Sequence, residues 1–316
     1  MKGTVYKSTG SWYTVKSQQG DFYQCRIKGK FRIGNIKSTN PVAVGDQVIF
    51  KVETKGDETV GVIHTIEPRD NYIIRKSVNL SKQTHIIAAN IDVAFLLVTL
   101  NNPPTFTTFI DRFLVTAEAY HVKAVLLFNK IDLYNEEELL EIKYLAALYR
   151  NIGYDCIGIS AKTGKNVDKV KAFMEDKVTL FSGHSGTGKS TLVNAIEPNL
   201  DLKTAEISEQ HQQGQHTTTF AEMYDLSFGA QIIDTPGIRG FGVVEIDKEE
   251  LGNYFPEFFE RKQECKFNNC LHINEPQCAI KEALEASEIA WSRYKSYLQI
   301  LEDEDDGYRK DIYKKE

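Results

Sequence analysis

"FSGHSGTGKST", residues 181–191, decides how the rest of this chain is read. Gly183 and Gly188 are spaced as in a phosphate-binding loop, with Lys189 and Ser190 directly behind them. The context agrees with this: the apolar run over 178–182 reads as a strand and the stretch from Lys189 onward as a helix. Glycines let the backbone N–H groups of a loop turn inward around phosphate oxygens, and a helix N-terminus adds its positive end. The segment Gly183, His184, Ser185, Gly186, Thr187, Gly188, Lys189, Ser190 and Thr191 is therefore the expected phosphate cradle. Lys189 would bridge the β- and γ-phosphates during the reaction, and the Ser190 hydroxyl would hold Mg²⁺.

A phosphate loop does not choose its base, so a second stretch matters. "LLFNKIDLYN", residues 126–135, puts Asn129, Lys130 and Asp132 at the end of a strand over 122–128. A carboxylate at Asp132 can accept from both N1–H and the N2 amine of guanine, and adenine offers no such donor pair. Asn129 and Asp132 are thus expected to read the base. Ser160, Ala161 and Lys162 close another strand, where a backbone N–H could meet guanine O6 while Lys130 and Lys162 cover the ring faces. Asp234-Thr235-Pro236-Gly237 ends a further strand over 231–233; Asp234 can order a Mg²⁺-bound water and the Gly237 N–H can bond the γ-phosphate. Upstream, "GQHTTTF" (214–220) lies in a polar loop where a switch segment belongs, and Thr218 is its expected Mg²⁺ ligand.

Strand-like apolar runs alternating with helical spacing, as in "NEEELLEIKYLAALYRNIG" after the cap residue Asn135, predict a doubly wound α/β domain over 69–240. Residues 1–68 show short alternating runs broken by glycine, the pattern of a five-stranded all-β barrel of the oligonucleotide-binding kind. Residues 241–316 read as mostly helical around a cysteine-rich loop. Within that loop, Cys265-x₄-Cys270-x-His272-x₅-Cys278 offers three thiolates and an imidazole, enough to close a tetrahedral structural Zn²⁺ site and leave no open position.

The base-recognition segment precedes the phosphate loop, which reverses the usual order. That order, with "GHSGTGKST", "GQHTTT", "DTPGIRGF", "CKFNNCLHINEPQC" and the leading barrel, resembles the circularly permuted bacterial ribosome small-subunit-dependent GTPase A family along essentially the whole chain. Permutation is physically tolerable, because each functional loop sits at the carboxyl end of its own parallel strand. It also makes the 234–237 segment lead directly into the C-terminal domain. Ile238 stands just after that segment, where many GTPases have a water-orienting glutamine, and an apolar side chain cannot orient water. Slow intrinsic turnover is therefore expected. The resemblance implies stimulation by the 30S ribosomal subunit and assigns His216 as the replacement catalytic group.

Composition narrows the function classes. With 41% hydrophobic and 26% charged residues the chain is not disordered as a whole, and its N-terminus has no signal-like apolar core. Five cysteines, three of them crowded together, suit a reducing cytoplasm with a local metal site better than a disulfide framework. The net charge of −6 is uneven: residues 1–70 carry 11 basic against 7 acidic side chains, residues 241–316 carry 11 against 18. The positive excess, with Trp12, Tyr13, Phe22, Tyr23 and Phe31 among Lys16, Arg26, Lys28, Lys30, Arg32 and Lys37, suits RNA contact by the barrel. The expectation is a monomeric cytoplasmic GTPase, binding GTP or GDP, that acts in late 30S maturation and touches 16S rRNA but no membrane. The alternative is a regulatory GTP-binding switch whose barrel binds a protein.

Overall fold

The computed structural model describes residues 1–27, 41–55, 58–76, 84–198, 200, 221–234 and 246–306. The expectations placed on Lys28, Lys30, Phe31, Arg32, Lys37, His216, Thr218, Gly237 and Ile238 lie outside the described residues.

Five strands form the N-terminal unit: β1 (Lys2–Ser8), β2 (Tyr13–Ser17), β3 (Phe22–Ile27), β4 (Gln47–Lys55) and β5 (Glu58–Ile66). β1 pairs with β2 and β2 with β3; β3 then runs parallel to β5, β5 pairs with β4, and β4 returns to β1. The circuit closes into a small barrel in the strand order of an oligonucleotide-binding fold. Alternation sends Val5, Tyr13, Val15, Cys25, Val48, Phe50 and Ile63 inward, where they form one apolar core.

The central sheet has the order β10-β9-β8-β11-β13-β12, built from β8 (Val93–Val98), β9 (Lys123–Phe128), β10 (Asp155–Gly158), β11 (Val178–Ser182), β12 (Glu222–Asp225) and β13 (Gln231–Asp234). All neighbours are parallel except β12. Helices α1 (Thr107–Ala119), α2 (Glu136–Ile152), α3 (Val167–Met174) and α4 (Lys189–Ile196) cover it. β8 shows why its sequence is apolar throughout. Ala94, Leu96 and Val98 pack with Ile110, Leu114 and Ile142, whereas Val93, Phe95 and Leu97 pack on the other face with Val170 and Leu192. A strand buried on both sides has no polar face to show. The expected cap of α2 is a full capping box: Glu138 N–H donates to the Asn135 side chain, and the Asn135 N–H donates to the Glu138 carboxylate.

Two features were not legible beforehand. β6 (Tyr72–Lys76) and β7 (Thr84–Ala89) form a separate antiparallel pair between the barrel and the central sheet. A bridge between Lys7 of β1 and Glu222 of β12 also makes barrel and sheet one continuous ribbon of strands.

The C-terminal region carries α5 (Lys248–Leu251), α6 (Pro256–Phe259), α7 (Ala279–Glu285) and α8 (Trp291–Asp306). The helical stretch from Ala279 onward is broken between α7 and α8, where Ser287 takes a φ of 60°. Its core of Leu251, Phe255, Phe258, Ile280 and Tyr297 includes Val115 of α1. Among the described residues, no helix is long and apolar enough to cross a membrane.

Candidate nucleotide site and metal centre

The strand order places the site. From β8 the chain moves outward to β9 and β10 on one side, and from β11 it builds β13 and β12 on the other. The crevice beyond the carboxyl ends of β8 and β11 is the topological switch point of an open α/β sheet, where ligands bind. Four loops meet there: 99–106 after β8, 129–135 after β9, 159–166 after β10 and 183–188 after β11.

Asn129 holds three of them together. Its Nδ2 donates to the Thr187 carbonyl at 2.8 Å, and its Oδ1 accepts from the Ala161 N–H at 3.0 Å. The residue is only 2% exposed, and these two bonds make it a strut between the loops. The glycines are required by this closeness. A Cβ on Gly188, at φ 100°, would lie 2.4 Å from Asn129 Nδ2, and one on Gly183, at φ 142°, would lie 2.9 Å from the Leu97 carbonyl oxygen. Lys130 Nζ donates to the carbonyls of Asn102, at 2.5 Å, and Gly186, at 2.8 Å, which leaves its alkyl stem to face a base. Ser160 is buried and its Oγ accepts from the Thr163 N–H, whereas Asp132 and Lys162 are exposed at the mouth.

Lys189 donates to the carbonyls of Gly183 and His184, both at 2.7 Å, and burial lowers its pKa to about 8. A dianionic phosphate beside the ammonium would reverse that shift. Burial, and after it the charge of Lys189, also lowers the His184 pKa. Ser190 and Thr191 open α4, and Asp234 closes β13 opposite Glu222. The sequence reading missed the loop after β8. Pro103 lies 3.3 Å from where a Cβ of Gly186 would stand, and the Phe109 ring sits on the His184 ring. What points to this loop is the reversal of strand order between β8 and β11, and it becomes readable only in the fold.

The four expected zinc donors come together: one ligand atom from each of Cys265, Cys270, His272 and Cys278 lies within 4.8 Å of the others. His272 Nδ1 is 3.7 Å from Cys265 Sγ and 3.4 Å from Cys278 Sγ. Those are the edges of a tetrahedron with Zn–S of about 2.3 Å and Zn–N of about 2.0 Å. The residues therefore fit a structural Zn²⁺. Burial pushes the Cys270 thiol up to about 12 and raises Cys278 as well, so a cation bound there must displace protons from these two thiols. The loop is pre-shaped by Glu275, whose carboxylate accepts the N–H groups of Leu271, Ile273 and Asn274.

On the barrel, the expected RNA-facing residues divide. Tyr13 is core, at 1% exposure, and Tyr23 packs against it, while Trp12 and Phe22 are exposed. Lys16 is committed elsewhere, with its ammonium 2.5 Å from the Asp225 carboxylate of β12.

Comparison with known proteins sets this geometry beside others. The family model for the RsgA GTPase matches residues 66–244, and the model for the RsgA N-terminal domain matches residues 2–63. A protein of Christiangramia forsetii named small ribosomal subunit biogenesis GTPase RsgA is 74% identical over 100% of both chains. One of the same name from Flavobacterium johnsoniae is 66% identical over 99% of this chain and 96% of its own. Among solved structures, YjeQ from Thermotoga maritima superposes with a TM-score of 0.76 at 35% identity, covering 96% of this chain and 97% of that one. YloQ, described as a circularly permuted GTPase, gives 0.72 at 29% identity, covering 96% of this chain and 95% of its own.

Proposed function

The chain belongs to the RsgA GTPase family, and from that membership we propose that it hydrolyses GTP as a biogenesis factor in late maturation of the 30S ribosomal subunit, with its turnover stimulated by that subunit. The observation that carries the reading is the Asn129 strut, which ties the phosphate loop to the two loops that would read guanine. In this reading Asp132 pairs with guanine N1–H and N2, and the Lys130 stem and Lys162 cover the ring. Because the Ala161 N–H is taken by Asn129, the Lys162 N–H is the one left to meet O6.

The loop N–H groups from His184 to Gly188, with Lys189, hold the phosphates, and Ser190, Thr218 and Asp234 organise Mg²⁺. Gly237 senses the γ-phosphate and His216 supplies the catalytic push. Mg²⁺ gives charge neutralisation on the phosphate oxygens when bound. The domain boundaries follow the same reading: a barrel over 1–68 that contacts 16S rRNA, a permuted GTPase domain over 69–240 and a zinc-bearing domain over 241–316, in a cytoplasmic monomer. With Lys16 engaged on β12, rRNA contact within the described barrel falls to Trp12, Phe22 and Arg26.

The test is GTP turnover with and without purified 30S subunits, beside an Asp132→Asn variant. Stimulation by the subunit, and loss of guanine preference in the variant, are expected. No stimulation together with no salt-sensitive RNA binding would hand the function to the protein-binding switch, and retained guanine preference would remove Asp132 from the base site.

A further inference from the structure

Helix α1 touches both ends of the molecule's chemistry within eight residues. At its first turn the Phe109 ring stacks on His184 of the phosphate loop, with centroids 3.9 Å apart and planes tilted by 31°. His184 is central to that loop, since its carbonyl accepts from Lys189 Nζ at 2.7 Å and from Thr187 Oγ1 at 2.9 Å. One residue earlier, Thr108 Oγ1 donates to Gln299 Oε1 of α8 at 2.6 Å. Two residues later, Asp111 accepts from Arg293 of α8 at 2.7 Å, and Val115 belongs to the core of the C-terminal lobe.

Thr108, Asp111 and Val115 follow the i, i+3, i+7 spacing and so share one helix face, toward α8; Phe109 is turned from Thr108 by about 100°. The zinc loop is fastened to α8 in its turn. Tyr294 OH donates to the His272 carbonyl at 2.6 Å, and Tyr297 OH donates to the Leu271 carbonyl at 2.9 Å.

We propose that α1 couples the zinc-bearing lobe to the phosphate loop, and that Phe109 is the positioning residue at the nucleotide end. The inference rests on the phosphate-loop reading above and adds a route to it. A push on the zinc loop is carried by α8 to Asp111 and Thr108, and a short rigid helix carries it on to the His184 backbone, whose carbonyl holds Lys189. That is a second path from the outer domain to the γ-phosphate, separate from the covalent one after Asp234. Its last contact is at His184, whose carbonyl holds Lys189, so it changes the chemical step more than nucleotide affinity.

The experiment uses the full zinc-loaded chain, measuring kcat and KM for GTP, affinity for a fluorescent GDP analogue, and zinc content. Phe109→Leu keeps an apolar side chain but loses the ring contact; it should lower kcat about tenfold while GDP affinity stays within about threefold. Phe109→Tyr restores the ring and should recover kcat to within about twofold. Gln299→Ala, at the far end, should lower kcat by about twofold to threefold, and the double variant should be no slower than Phe109→Leu alone, the mark of one shared path. Should Phe109→Leu fail to retain zinc, His184→Gln cuts the same contact from the loop side and should give the same split between kcat and affinity. An unchanged kcat, a parallel fall of kcat and GDP affinity, or losses that simply multiply would each overturn the coupling. Lys189→Ala tests the site reading separately: if it still turns over GTP, the phosphate loop itself is wrongly assigned.

Discussion

Two buried arginine–aspartate pairs fasten the outer domains to the central one, and they are built differently. On the barrel side Arg69 meets Asp46, whose carboxylate takes Arg69 Nε at 2.6 Å and Nη2 at 2.7 Å while its Oδ2 also accepts the Ala43 N–H. One cation faces one anion, in the geometry of a bidentate pair. On the zinc side Arg293 serves two carboxylates, Asp111 through Nη1 and Glu257 through Nε and Nη2, and Asp111 also accepts Tyr149 OH at 2.8 Å. That cluster carries an excess of one negative charge, and burial raises the Asp111 pKa against the pull of Arg293. The barrel seam is locally balanced, and ion pairs at its surface add to it. The zinc seam sets one guanidinium against two carboxylates, beside the Thr108–Gln299 hydrogen bond and the packing of Val115, and through α8 it leans on the metal loop.

The largest break should come from the metal. Chelation, or Cys278→Ser, removes a site of the kind that contributes on the order of 10 kcal/mol to small zinc domains. The C-terminal lobe should melt and release Arg293 while the barrel stays folded, which amide exchange in α8 and in β1–β5 would report. Acid should act in the same order. Zinc must displace protons from thiols that burial has made weak acids, so affinity falls as pH falls, and zinc release should precede loss of barrel structure in an acid titration.

Arg293→Met comes next. It leaves two carboxylates facing each other without a cation, and a loss of about 3–5 kcal/mol is expected in denaturant unfolding. Arg69→Met sharpens the contrast, because Asp46 keeps the Ala43 N–H and, among the described residues, shares Arg69 with no second carboxylate; a loss of about 2–3 kcal/mol should follow. Equal losses in the two variants would erase the distinction between the seams. Smallest is Lys16→Ala, which removes a partly exposed pair with Asp225 and should cost at most about 1 kcal/mol, with the difference vanishing as salt is raised.

Much of the site was legible because its chemistry is written in consecutive residues. Lys189 and Ser190 are placed by glycines a few positions away, and Cys265 to Cys278 bring their donors together by the turns between them. The parallel strands of the central sheet were readable for the same reason, since an apolar run long enough to cross a sheet is a local property, whereas β6, β7 and β12 were not. Asn129 was recognised by type, but its partners within the chain were not. Its amide bonds to Thr187, 58 positions away, and to Ala161, 32 positions away, and no local pattern encodes that choice of partners. Lys16 was grouped with RNA-facing residues on composition, yet Asp225, 209 positions along the chain, engages it.

The sequence by itself determined which chemical patterns the chain carries: a phosphate loop, a guanine-reading pattern, a Cys₃His metal set, and the reversed order that places Asp234-Thr235-Pro236-Gly237 directly before the metal-bearing region. These depend on residue types at short, fixed spacings, where backbone geometry leaves few outcomes. Only the tertiary structure decided how the parts hold one another: the Asn129 strut, the strand bridge between Lys7 and Glu222, the burial of Arg293, and the ring contact from Phe109 to His184. Each needs two residues far apart in the chain to meet, and whether they meet is settled by how whole elements pack.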